Sequence, residues 1–198
     1  MNDSAQSVKA TIRKSIRQIR QTINQTESLN AANQICENLL SIEHYTASRN
    51  IASFLSFDGE VSTRIINQRL LDDKRIFYLP KLKPWPPNRL WFMPFYPDVK
   101  MTTNQFNIPE VDLPVSQAIR PSRLDILLMP LVAFDTRGNR LGMGGGFYDA
   151  SLAHLKESNI KPLCLGLAYE VQKVADLPSE PWDFQLDGVI TEKQVYWF

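Results

Sequence analysis

The stretch from Asp125 to Asp149, DILLMPLVAFDTRGNRLGMGGGFYD, places the tightest constraint on the fold. It begins with Ile126–Met129, a short unbroken apolar run stopped by Pro130, the pattern of a strand buried on both faces of a sheet. Such a strand needs covering layers on both sides, and ligands gather at the ends of such strands. A loop rich in glycine follows, with Gly142, Gly144, Gly145 and Gly146 beside Arg137 and Arg140, closed by Phe147, Tyr148 and Asp149. Glycines let an anion approach the backbone N–H groups closely, and the arginines add positive charge, so this is the composition of a phosphate-handling loop. A helix starting near Phe147 would turn its free N–H groups toward the same anion, and Asp149 could hold a metal ion. The plainer alternative is a loop whose glycines serve only a turn. The spacing is not that of a P-loop, since no Gly-Lys-Ser/Thr follows, nor is it the dinucleotide pattern.

The rest of the chain alternates helical and extended patterns. Ser7 to about Gln21 reads as a helix, with Val8, Ile12, Ile16 and Ile19 at helical spacing and basic residues on the remaining surface. Lys9 and Arg13 lie four apart and share a face, either as a clamp for one polyphosphate or as part of a solvated basic surface. A second helix is predicted over Ser28–Leu40, then a strand over Asn50–Phe57 opening into Asp58-Gly59-Glu60, with Ser62 or Thr63 capping the next helix. Strands at Arg75–Leu79 and Leu90–Pro94 flank the proline-rich KLKPWPPNR, and Trp85, Trp91, Phe92 and Phe95 there read as core. A helix over Phe147–Lys156 and strands over Pro162–Ala168 and Gly188–Thr191 complete the pattern. The alternation predicts a three-layer, mostly parallel α/β architecture.

The 198 residues suit one domain spanning 1–198, and the net charge of +1 is too balanced for a nucleic-acid or membrane-surface protein. No apolar run has the length of a membrane span and the N-terminus lacks the apolar core of a secretory signal, so a cytoplasmic location is expected. Cys36 and Cys164 lie in apolar patterns and read as reduced packing residues. Neither histidine, His44 or His154, belongs to a constellation suggesting a base or a metal ligand.

RLGMGGGFYD, with MPLVAFD just upstream, resembles the signature of the 5-formyltetrahydrofolate cyclo-ligase family. The basic N-terminal helix, FLSFDGEVST, FNIPE and LDGVITE follow the family's order, so the resemblance covers nearly the whole chain. It implies a Rossmann-like sheet of the sugar-phosphate isomerase/CoA transferase type, and an ATP-dependent closure of 5-formyltetrahydrofolate to 5,10-methenyltetrahydrofolate through a phosphorylated formyl group. By the same resemblance Lys9, Arg13, Arg140, Leu141, Gly142, Met143, Gly144, Gly145, Gly146, Phe147 and Tyr148 bind ATP, with Lys9 and Arg140 as the catalytic charges and Arg17 and Arg20 as lesser candidates on the same helix. Leu55, Glu60 and Phe106 contact the folate together with Met143, Gly144, Gly145, Gly146 and Phe147. Asp149 and Asp187 match family positions for Mg²⁺, with Asp183 near enough in sequence to compete. Small-molecule substrates are the expected partners, with no nucleic acid and no membrane, and a monomer is expected. The chain departs from the family pattern at Met143, often tyrosine or basic, at Phe147, commonly tyrosine, and at Trp182, where a histidine usually precedes Asp183. Two alternatives stand beside this reading: a non-catalytic folate-binding relative, or an isomerase or CoA transferase of related fold.

Overall fold

The structure is a computed structural model that describes residues 2–198. Helices α1 (Asn2–Thr22), α2 (Gln25–Leu40) and the short α3 (Glu43–Ala47) precede strand β1 (Asn50–Ala52). Helix α4 (Arg64–Asp72) then crosses to β2 (Ile76–Lys83), and β3 (Arg89–Phe95) returns along it. Two small ribbons follow, β4 (Met101–Thr103) with β5 (Pro109–Val111), and β7 (Ala133–Phe134) with β8 (Arg140–Leu141), on either side of β6 (Ile126–Pro130). Helix α5 (Phe147–Leu152), β9 (Leu163–Leu167), β10 (Gly188–Ile190) and β11 (Val195–Trp197) complete the chain.

The main sheet has the order β11-β10-β9-β6-β1-β2-β3. Strands β10, β9, β6, β1 and β2 are mutually parallel, and β11 and β3 close the two edges antiparallel. The two-residue side-chain period of a strand divides the interior into two cores. Ile51, Ile126, Leu128, Leu165 and Leu167 face one side, where Ile35 and Leu39 of α2 and Ile66 and Leu70 of α4 cover them. Ala52, Leu127, Met129 and Cys164 face the other, beneath Leu152 of α5 with Leu155, Phe184 and Leu186. This is the expected three-layer, mostly parallel arrangement, and Ile126–Met129 is the doubly buried strand predicted from its apolar run. Cys36 and Cys164 are free and buried, as expected, and burial pushes the Cys164 thiol up to about 12.

Several boundaries differ from the sequence reading for local reasons. Strand β1 ends at Ala52 rather than Phe57, because the Phe54 carbonyl is taken by Thr63 Oγ1 (2.6 Å) and Asn67 Nδ2 (3.0 Å), which draws the chain out of the sheet. Thr63 does stand at the N-cap of α4, but its hydroxyl is spent on that carbonyl rather than on the helix. Helix α2 begins at Gln25, three residues early, because Asn24 and Glu27 form a capping box (Glu27 N to Asn24 Oδ1, 3.0 Å; Asn24 N to Glu27 Oε2, 3.0 Å). Strand β2 runs on to Lys83, so KLK belongs to a long antiparallel hairpin with β3 and the prolines fill its turn. Trp85 in that turn is 79% exposed and is not core, whereas Phe92 is fully buried and Trp91 and Phe95 pack at the core's margin. The C-terminal α-helix predicted to Lys156 stops at Leu152 and tightens into a 3₁₀ turn over Ala153–Leu155.

Helix α1 departs most from its predicted orientation. Val8 and Ile19, expected on its apolar face, are exposed, and only Ile12 and Ile16 pack, against Val132, Ala133, Leu141, Val174 and Leu177. Arg20, expected among the surface basic residues, is buried, and Lys9 and Arg13 are partly covered. The helix thus turns a mixed apolar and basic stripe inward, beyond the carboxyl end of β6.

Candidate active site

The first crossover from β1 leads through α4 on one face, and the crossover from β6 leads through α5 on the other. The loops leaving the carboxyl ends of these adjacent parallel strands therefore diverge and open a crevice, the usual ligand position in such sheets. A cleft of about 880 Å³ lies there, floored by Phe54, Leu55, Leu79 and Pro80 and by Pro130 and Leu131. That volume is in the range of sites for drug-sized and cofactor-sized molecules.

One wall is the glycine loop. The β7–β8 ribbon delivers Arg140 to its start, and four consecutive exposed residues, Met143 to Gly146, lead to α5. Gly144 has φ +102°, a backbone region closed to ordinary side chains, and the Arg13 guanidinium lies 3.7 Å from where its Cβ would stand. Gly145 is needed for a different reason: a Cβ there would come within 2.5 Å of the Phe147 ring, which lies over the glycine. The uncovered edge of that ring meets Phe106 edge-to-face, with centroids 5.9 Å apart and planes at 83°. Phe106 arrives on the turn of the β4–β5 ribbon, which Asn104 and Glu110 fix to β2. Asn104 Oδ1 accepts from the Phe106 and Ile108 N–H groups, its Nδ2 donates to Glu110 Oε1, and the Leu82 N–H donates to the same oxygen at 2.8 Å.

Cations and carboxylates pair across the cleft. Arg140, whose side chain is 4% exposed, donates Nη2 to Asp149 Oδ1 at 2.6 Å, and the Phe184 N–H donates to the same oxygen at 2.9 Å. Nε of Arg140 is buried without a protein partner. Arg13 Nε donates to the Gly142 carbonyl at 2.8 Å, and Lys9 Nζ pairs with Asp183 Oδ2 at 3.2 Å. Burial lowers the Arg13 pKa, offset in part by Asp183. Each of these bonds, two to carboxylates and one to a carbonyl, is of a kind that phosphate oxygens can replace.

The opposite wall carries Glu60. Its carboxylate accepts from the Phe57 N–H at 3.0 Å, and its pKa is raised to about 7. Desolvation is the largest cause, opposed by the Phe57 bond and by Arg20, and reinforced by Asp58. Tyr148, on the facing helix, is raised by burial first and by the Glu60 charge second. Glu60 is thus held between charge states, ready for a ligand whose N–H donors favour its ionised form.

All the principal site residues expected from sequence line this cleft except Asp187. Asp187 precedes β10, where its Oδ1 takes Lys161 at 2.7 Å and its Oδ2 takes the Cys164 N–H at 2.8 Å. It braces the start of β9 against β10 and does not join Asp149, because residues at the amino ends of parallel strands lie away from a carboxyl-end cleft. Arg137 also stays outside, bonded to buried Asp135 at 3.1 Å. Asp183, considered only as a competitor for the metal, is the partner of Lys9. Asn104 and Glu110 were not identified as site elements by their spacing, since their contacts join segments distant in the chain. Arg17 and Arg20, lesser candidates for ATP beside Lys9 and Arg13, turn to Asp58, Arg20 to its carbonyl, and do not line the cleft. Among the described residues, no group of three or more His, Cys, Asp or Glu side chains is placed to hold a metal ion by itself.

Comparison with known proteins places the chain in one family. The chain is 41% identical over 179 residues to the 5-formyltetrahydrofolate cyclo-ligase of Haemophilus influenzae, covering 90% of this chain and 95% of that one. It is 36% identical over 181 residues to the enzyme of the same name from Escherichia coli K12, covering 91% and 98%. The fold superposes on the Aquifex aeolicus 5,10-methenyltetrahydrofolate synthetase with a TM-score of 0.81 at 28% identity, over 96% of this chain and 92% of that one. The model of the 5-formyltetrahydrofolate cyclo-ligase family matches residues 5–192, and the chain belongs to that family.

Proposed function

We propose that the protein is an ATP-dependent 5-formyltetrahydrofolate cyclo-ligase, closing 5-formyltetrahydrofolate to 5,10-methenyltetrahydrofolate with release of ADP and phosphate. The observation that carries this reading is the division of one cleft into a cationic glycine-loop wall and a carboxylate wall, joined by the Phe106–Phe147 pair. Lys9, Arg13, Arg140 and the N–H groups of Gly142–Gly146 take the triphosphate. Glu60 takes the N–H groups of the pterin, with Leu55, Phe106 and Phe147 against its rings.

The chemistry needs no protein nucleophile. The formyl oxygen attacks the γ-phosphorus and ADP leaves, giving an imidoyl phosphate. N10 then adds to the activated carbon, the nitrogen's proton is lost, and the C–O bond breaks to release phosphate. Both nucleophiles belong to the folate, so the protein's work is alignment and charge neutralisation, which dominate phosphoryl transfer. Lys9 and Arg140 supply that charge, exchanging Asp183 and Asp149 for phosphate oxygens.

Magnesium fits the donor set in part. Asp149 lines the cleft and, among the described residues, its Oδ2 takes no hydrogen bond, which leaves one carboxylate oxygen for an ion that takes its remaining ligands from phosphate and water. Bound there, magnesium would neutralise charge on the β- and γ-phosphates. Asp187 is left out of this assignment.

Substrate labelled with ¹⁸O in the formyl group tests the route. The label should appear in inorganic phosphate, read from its ³¹P isotope shift. Label retained in a folate product or lost to water would refute phosphorylation of the formyl oxygen.

A further inference from the structure

The proposed site leaves one buried charge without a task. Arg20 is 3% exposed, the most deeply buried cation described, yet its Nε and Nη1 have no protein partner. A buried guanidinium with unpaired N–H groups lowers stability, and an apolar side chain of similar size would commonly stabilise the fold at least as well. The side-chain hydrogen bond and ion pair described for Arg20 both fall on Asp58. Its Nη2 donates to the Asp58 carbonyl at 2.7 Å and lies 3.6 Å from Asp58 Oδ2, which Arg17 also approaches at 2.8 Å. Its Cβ lies 3.8 Å from the position a side chain on Gly59 would begin. Asp58 and Gly59 are both left-handed, at φ +51° and +72°, a tight turn that brings Glu60 back to the Phe57 N–H.

Resting on the cyclo-ligase reading, we infer that Arg20 is a positioning residue that fixes the Asp58–Glu60 turn to helix α1 and so couples capture of the nucleotide to capture of the folate. The same helix carries Lys9 and Arg13 over the glycine loop and, about 11 Å further along its axis from pair to pair, Arg17 and Arg20 over the folate turn. Anchoring the phosphates at one end therefore fixes the turn at the other. The groups facing Glu60 are Arg20 from α1, Asp58 from its own turn and Tyr148 from α5, while Arg17 and Tyr169 face Arg20 itself. Of those facing Glu60, Arg20 is the only cation, so it also favours the ionised carboxylate that pterin donors require.

The test compares wild type with Arg20→Met, which keeps the packing volume, and Arg20→Lys, which keeps the charge. Dissociation constants for 5-formyltetrahydrofolate are measured with and without a magnesium-bound, non-hydrolysable ATP analogue, and Glu60 is titrated by ¹³C NMR in the ligand-free protein. Wild type should bind folate more tightly with the analogue present. Arg20→Met should weaken folate binding about tenfold, the scale of one lost charge-assisted bond, leave binding of the analogue alone within about twofold, and bring the ratio with and without analogue toward one. It should move the Glu60 titration to higher pH, and Arg20→Lys should largely restore that titration. A folded Arg20→Met protein with unchanged Glu60 titration and unchanged ligand coupling would overturn the inference. A wild type that binds neither folate nor analogue, with the titration shift present, would instead refute the functional reading on which the coupling rests.

Discussion

Replacing Glu60 with glutamine should stabilise the protein above neutral pH while weakening its hold on folate. The folded state raises the Glu60 carboxyl from its ordinary value of 4.5 to about 7, chiefly by burial. Between those values the folded protein holds a proton that the unfolded chain has released, so stability falls as pH rises through the window and the loss is complete above about 7. At about 1.4 kcal/mol for each pH unit, the displacement amounts to about 3 kcal/mol. Glutamine has the same shape and can still accept from the Phe57 N–H, but it carries no charge to desolvate. Urea unfolding of wild type and Glu60→Gln from pH 4 to pH 8 should therefore show nearly equal stability at pH 4 and a gap opening in favour of the variant, toward about 3 kcal/mol at pH 8. A gap that is constant with pH, or one that favours wild type at pH 8, would refute the claim that this carboxylate is held ionised against its surroundings. Folate affinity should move oppositely, falling in the variant and, in wild type, falling as pH drops below 7. A functional carboxylate kept at a cost in stability is a common compromise in active sites.

Arg140→Ala removes the partner of a partly buried carboxylate, so it should cost about 3 kcal/mol in urea unfolding as well as raising the KM for ATP at least tenfold. Adding Asp149→Asn should recover much of the stability and none of the ATP binding; recovery of both would show that Arg140 acts only as a structural partner. Gly145→Ala drives a methyl into the Phe147 ring, and expelling the ring should raise the KM for folate several-fold with a stability loss of about 1–3 kcal/mol. In a Phe147→Ala background the same change should have little further effect, and an equal penalty in both backgrounds would place the clash elsewhere.

The strands that build the sheet's interior were legible because their signals are local. Ile126–Met129 is apolar throughout, and no half-exposed strand or surface helix tolerates that run. The glycine loop was legible for a similar reason, since its residue types admit few uses. The sequence signal weakened wherever a side chain from a distant segment decided the outcome. Thr63 and Asn67 end β1 by capturing the Phe54 carbonyl, a contact with no sequence signature. Helix α1 reads in sequence as one apolar stripe with basic residues on the remaining surface, and it takes the distant Asp58–Gly59 turn packed on it to explain why Arg20 is buried. That Asp187 does not line the cleft with Asp149 was not legible, because resemblance gives residue types without giving the end of the sheet at which each one stands. Lys161 and the Cys164 N–H, at the start of β9, claim Asp187 instead.

We propose that one cleft activates a formyl oxygen with ATP and closes the folate ring. The most direct test is the rise in near-ultraviolet absorbance of methenyltetrahydrofolate when purified protein is mixed with 5-formyltetrahydrofolate, ATP and magnesium. The expected rise needs both ATP and magnesium, is matched mole for mole by ADP, and is lost in Arg140→Ala. Absorbance that rises without ATP, or folate that binds and never turns over in the complete mixture, would contradict it.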